Sequence, residues 1–108
     1  MTVATKPRAL FVVESSRFNI SSAREFGEIV YLLKGEPVSP LNVDEVVSRI
    51  KEALDDIAFD PKNDYVVLTG QTLLVAVYLA IACDVSGQVR TLMFDARHDK
   101  YVERVVKL

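Results

Sequence analysis

The chain has 108 residues, half of them hydrophobic by count, enough apolar material for one packed domain and too little length for two. Thirteen basic and 15 acidic residues give a formal net charge of −2, which argues against a general DNA-binding protein with its basic surface. The single cysteine, Cys83, excludes an internal disulfide, and one Cys with one His offers no zinc-ligand spacing, so a cytoplasmic setting is expected.

Met1 to Arg8 is short and polar, with no apolar h-region behind it, so no secretory leader is expected. Residues 1–7 are expected to form a flexible tail and residues 8–108 a single domain. Arg8 to Glu14 is apolar through its middle and predicts a first, interior strand. Ser15-Ser16-Arg17 is a polar turn. Ser21 or Ser22 is placed to cap a short helical turn through Phe26, with Gly27 as its stop. Glu28 to Lys34 predicts a second strand, and Gly35 to Pro40 a loop, because two prolines and a glycine propagate neither helix nor strand. Asn42, with Glu45 three residues on, opens an amphipathic helix. Val43, Val46, Val47, Ile50, Leu54, Ile57 and Ala58 form its apolar stripe, and the charged residues between them read as a solvated face.

Tyr65 to Thr69 predicts a strand covered on both faces. Gly70 punctuates it. Gln71 to Cys83 is almost wholly apolar and reads as a core helix, shorter than the roughly 20 residues that cross a bilayer. Val89 to Phe94 is the next strand, and strand–helix–strand makes a central βαβ unit with parallel strands. Ala96 to Lys100 is a turn. Tyr101 to Lys107 alternates, with one mainly polar face, and reads as an antiparallel edge strand closing a C-terminal hairpin. The expected fold is a compact α/β domain with a mostly parallel, Rossmann-like sheet.

Parallel strands bring Thr69-Gly70 and Asp95 to one edge of the sheet, the edge where open α/β sheets bind ligands. Gly70 lets backbone approach a ligand, the helix behind it presents free N–H groups, and Thr69, Gln71 and Thr72 can add donors; a plain tight turn with a threonine N-cap is the competing reading. Without a Walker lysine or a full Gly-x-Gly-x-x-Gly, standard nucleoside-triphosphate or dinucleotide binding is not expected. Asp95, Arg97 and His98 follow the fourth strand. Arg97 can grip a phosphate, Asp95 can orient it, hold a divalent cation or act as a base, and His98 is the only histidine, the side-chain type suited to moving protons near neutral pH. A hairpin turn built on Asp95 explains the same residues without chemistry. Ser15 and Arg17 would join this edge if the first strand is parallel to the third. Cys83 reads as a small core residue, and no Gly-x-Ser-x-Gly elbow is present to place a serine nucleophile.

Val66-Val-Leu-Thr-Gly70, the apolar helix, then Leu92-Met-Phe-Asp95-Ala-Arg97 and a hairpin resemble the CRISPR-associated ring nucleases. These are small α/β domains that bind cyclic oligoadenylate across a dimer and can cleave it. The resemblance covers about the last 45 residues. It implies that Gly70 lines the ligand pocket and that Asp95 and Arg97 are the functional, catalytic pair.

Two functions follow as expectations. In the first, a small anionic ligand, a nucleotide or cyclic oligonucleotide such as cyclic oligoadenylate, is held by Ser15, Arg17, Thr69, Gly70, Gln71, Thr72 and His98. Phosphodiester cleavage would then proceed through positioning or with Mg²⁺ or Mn²⁺ as a candidate cofactor. In the second, the chain is a non-enzymatic homodimeric interaction or inhibitor protein, of the kind viruses and mobile elements encode, with the nearly all-apolar helix buried on two sides.

Overall fold

The computed structural model describes residues 6–13, 20–33 and 42–108, and its elements follow the order expected from the sequence. They are β1 (Arg8–Val13), α1 (Ile20–Ala23) with the 3-10 turn Arg24–Phe26 behind it, β2 (Glu28–Leu33), α2 (Val43–Asp56), β3 (Asp64–Val67), α3 (Thr72–Ser86), β4 (Gln88–Asp95) and β5 (Lys100–Lys107). Residues 1–5 of the expected tail, Glu14, the turn Ser15-Ser16-Arg17, Lys34 and the proline loop over 35–40 lie outside the described residues.

The strands form one sheet in the order β2-β1-β3-β4-β5. β1 pairs in parallel with β2 and β3, β3 in parallel with β4, and β4 antiparallel with β5. The sheet is therefore mixed and mostly parallel, as expected. Alternate residues feed opposite faces. Leu10, Val12, Leu32, Val66 and Val89 pack on one face with Val46, Ile50 and Leu54 of α2 and Leu74, Tyr78 and Ala82 of α3. Ala9, Phe11, Tyr65, Val67, Leu92 and Tyr101 form a second cluster on the other, against Ala23, Ile20 and Phe26.

Two polar contacts are built into this packing. The fully buried Tyr78 hydroxyl donates to the Leu10 carbonyl at 2.9 Å, tying α3 to β1. Asp64 opens β3 with its side chain fully buried. Its Oδ1 accepts from Arg8 Nε at 2.8 Å and its Oδ2 from Arg8 Nη2 at 2.6 Å, a planar fork onto a carboxylate. Oδ2 also accepts the Asp60 N–H at 2.8 Å, and Arg8 Nη1 donates to the Ile57 carbonyl at 2.9 Å. One ion pair thus joins β1, β3 and the end of α2. The Asp64 partnership holds the Arg8 guanidinium above its ordinary range, against the opposing effect of burial.

The helix ends follow local chemistry. Asn42 caps α2, its Oδ1 accepting the Glu45 N–H at 3.1 Å and its amide donating to the Glu45 carboxylate at 3.2 Å. At the other end Ala58 N–H donates to Asp55 O and Phe59 N–H to Leu54 O, the paired bonds of a Schellman stop. Ala58 takes the left-handed position, φ 52°, that glycine usually fills, so it ends the apolar stripe outside the helix. Gly27 stops the 3-10 turn at φ 146°, and a Cβ there would lie 2.2 Å from the Pro7 carbonyl oxygen.

Two expectations are corrected. Ser21 and Ser22 lie inside α1, so neither caps it; the Ser22 hydroxyl instead donates to the Asp99 carbonyl at 3.1 Å. α3 begins one residue later than expected and runs three residues past Cys83 to Ser86, stopped by Gly87 at φ 73° with its N–H on the Cys83 carbonyl. As expected of a core helix, α3 is hidden on most sides: Leu74, Tyr78, Ala82 and Cys83 are buried, Val75, Val77, Leu79 and Ile81 pack against the core beside them, and Thr72, Ala76 and Ala80 form one exposed strip. Alanine leaves little apolar area in water and favours helix, so the outward strip needs no cover to be stable.

Asp64→Ala leaves Arg8 without its carboxylate in a half-buried setting and is expected to cost about 3 kcal/mol, read as a lower midpoint in urea unfolding. Ala58→Gly relieves the left-handed strain and is expected to gain about 0.5–1 kcal/mol in the same measurement.

Candidate functional site

From β1 the chain moves one way across the sheet to β2, then returns past β1 to β3 and continues to β4. The direction of travel reverses between β1 and β3, and in open α/β sheets ligands bind outside the carboxyl ends of the strands at such a reversal. Thr69, Gly70, Gln71 and Thr72 follow β3 at this edge, and Asp95 ends β4. Ser15 and Arg17 lie outside the described residues.

Gly70 is exposed with φ 134°, and Gln71 is the N-cap residue of α3, its side chain making no capping bond. Neither threonine caps the helix: Thr72 is its first residue, and the Thr69 Oγ1 is buried. Thr69 Oγ1 and the Tyr101 hydroxyl are buried side-chain oxygens without a partner in good hydrogen-bond geometry among the described residues. Burial pushes the Tyr101 phenol up, and the nearby Thr69 hydroxyl works against that push. Thr69 thus looks inward toward β5.

Asp95 is held in the turn between β4 and β5. Its Oδ1 accepts the backbone N–H of Arg97 at 3.0 Å, its Oδ2 lies 2.7 Å from His98 Nδ1, and its carbonyl accepts the His98 N–H at 3.2 Å. This is an aspartate bonding its own turn, with Asp99 at φ 49° completing the reversal. The contact to Arg97 is through its main chain, and the Arg97 and His98 side chains are exposed. The His98 imidazole, seconded by the Arg97 N–H, holds the Asp95 carboxyl below its ordinary range. Among the described residues no three His, Cys, Asp or Glu side chains gather closely enough to hold a metal ion. Two grooves along α2, of 370 and 300 Å³, are lined by none of the expected site residues.

A different feature lies at the side of the sheet. β5 pairs with β4 over its whole length, Gln88 with Lys107 through Asp95 with Lys100, in an unbroken register. Among the described residues no strand lies beyond β5. Its sequence contains no proline and its ladder no bulge, so its charged residues Lys100, Glu103, Arg104 and Lys107 are what guard this edge, with Arg104 Nη1 donating to the Glu103 carbonyl at 2.7 Å. Val105 is 47% exposed and Leu108 88%. The alternation of Tyr101 to Lys107 marked this strand as an edge, and on it the exposed Val105 stands between Glu103 and Lys107.

No described helix is long and apolar enough to cross a membrane. Fold and edge together define a small mixed-sheet α/β domain with an open β-strand side. The chain belongs to the phage Pam3 gp32-like protein family, whose sequence profile matches residues 8–108. No curated protein and no solved structure matches it. The family match overturns the resemblance to the ring nucleases, because it spans the whole stretch that carried that resemblance. The shared pattern has a fold-level cause: Gly70 is the turn from β3 into α3, and Asp95 closes the hairpin after β4.

His98→Ala removes the main cause of the depressed Asp95 pKa, which should climb toward the ordinary carboxylate range in an NMR titration of the side-chain carboxyl. The sign is that of a carboxylate favoured in its charged form: its contribution is present above the unfolded pKa and lost as pH falls through the folded one. The acid-induced loss of stability over that window should be smaller in the variant.

Proposed function

We propose that the chain is a virus-encoded, non-enzymatic interaction protein that works as a homodimer. The observation that carries this reading is the open edge of β5, whose ladder is complete on the β4 side. A strand edge offers a row of main-chain donors and acceptors, and adding another strand to it is a general mode of protein association. Membership of a phage protein family supports a viral origin. The engagement of Asp95 by its own turn supports a structural role for the residue with the strongest claim to chemistry.

Sedimentation velocity at low micromolar concentration should give a dimer that dissociates on dilution. A strict monomer at the highest soluble concentration overturns the reading. Thermal unfolding against mononucleotides and short RNAs, with and without Mg²⁺, should give a flat response. A ligand bound at a hundred times its dissociation constant would instead add about 2.7 kcal/mol and restore the anionic-ligand alternative.

A further inference from the structure

We infer that two copies of the chain join β5 to β5 in antiparallel pairing, with Val105 of one copy opposite Val105 of the other. This rests on the homodimer reading above and adds the surface and the register. The Leu108 N–H donates to the Gly87 carbonyl at 2.9 Å, which makes that opposed pair a hydrogen-bonded one. The Thr91 hydroxyl reaches the Arg104 carbonyl at 2.6 Å, so that carbonyl also points toward β4. Opposed pairs in an antiparallel ladder alternate between bonded and non-bonded. The main chain of Lys100, Val102, Arg104 and Val106 therefore faces β4, and that of Tyr101, Glu103, Val105 and Lys107 faces outward.

A two-fold axis through a continued sheet keeps each face on its own side, so a residue meets only residues of its own face. That restricts the symmetric registers to those centred on a single residue of β5. Centring on Val102 sets Lys100 against Arg104. Centring on Glu103 opposes two carboxylates, and on Arg104 two guanidiniums. Like charges directly opposed across strands destabilise the pair. Centring on Val106 overlaps only the end of the strand.

Centring on Val105 avoids every like-charge pair. It sets Glu103 opposite Lys107 of the second copy, twice by symmetry, and covers the half-exposed Val105 with itself. On the other face it sets Arg104 against Val106 and Val102 against Leu108, so the most exposed large apolar side chain among the described residues gains a cover. Glu103 already accepts from Arg90 Nε at 2.9 Å through one oxygen, and a carboxylate has room for a second cation.

The test uses the full chain. Bonded antiparallel pairs stand about 5.5 Å apart at Cα, within disulfide range. Val105→Cys should therefore form a disulfide-linked dimer under mild oxidation, faster than Arg104→Cys under the same conditions. Cys83 is buried with its thiol pushed up by burial, which keeps it out of the exchange. Lys107→Glu leaves the Arg90–Glu103 pair intact and should weaken dimerisation by about tenfold or more at low salt, an effect that shrinks as salt rises. If the native chain sediments as a dimer but Val105→Cys cross-links no faster than Arg104→Cys and Lys107→Glu leaves the dissociation constant unchanged, this register is wrong while the homodimer stands. If the native chain is monomeric, both fall.

Discussion

The ion pair between Arg8 and Asp64 is the contact on which the arrangement depends. Asp64 is fully buried, and a carboxylate in that position is tolerated only with its charge and lone pairs matched. Arg8 supplies the charge and two bonds, and the Asp60 N–H a third. Since Arg8 also holds the Ile57 carbonyl, the pair fixes three things at once. It places the start of β1 beside the start of β3, sets their parallel register, and pins the end of α2 to the sheet's amino edge. The reversal of strand order between β1 and β3 is built on that junction.

Much of the fold was legible in the sequence because it rests on local signals. The alternation in Tyr101 to Lys107 marked an edge strand, the Asn42–Glu45 spacing marked the start of α2, and Gly27 stops the 3-10 turn as expected. What was not legible depends on partners distant in sequence. Nothing local shows that Asp64 is held as a buried carboxylate until Arg8, 56 positions away, is placed against it. Tyr78 looks like one more apolar position until its hydroxyl meets the Leu10 carbonyl. Ser22 looks like a cap, but its hydroxyl is drawn to a carbonyl 77 positions on. Ala58 continues an apolar stripe by spacing, and only the Schellman bonds reveal that the helix has ended.

The candidate site divides in the same way. The topology that brings Thr69-Gly70 and Asp95 to one edge follows from parallel strands and was readable; the use made of those residues was not. Asp95 spends its oxygens on the turn, and Thr69 turns its hydroxyl toward Tyr101. A strand–glycine–helix–strand–aspartate pattern is therefore a signature of how such a sheet is folded, and it carries a reaction only where side chains are left over to perform one. The unpaired side of β5 is instead a surface made of main chain, where amino-acid identity leaves a faint trace.

The sheet's connectivity also has a consequence for how the chain is made. β1 lies between β2 and β3, and Arg8 finds its carboxylate only in residue 64. As the polypeptide emerges from the ribosome, β1 has one strand neighbour, and Arg8 lacks its bidentate carboxylate, until β3 begins to be synthesised. The β4–β5 hairpin, in contrast, joins neighbours through a turn that Asp95 stabilises by itself. Strand pairing within the hairpin needs little loop closure, whereas each parallel pairing needs a crossover. The part of the sheet that forms most readily is the last to be translated, after the partners of β1 have already been made.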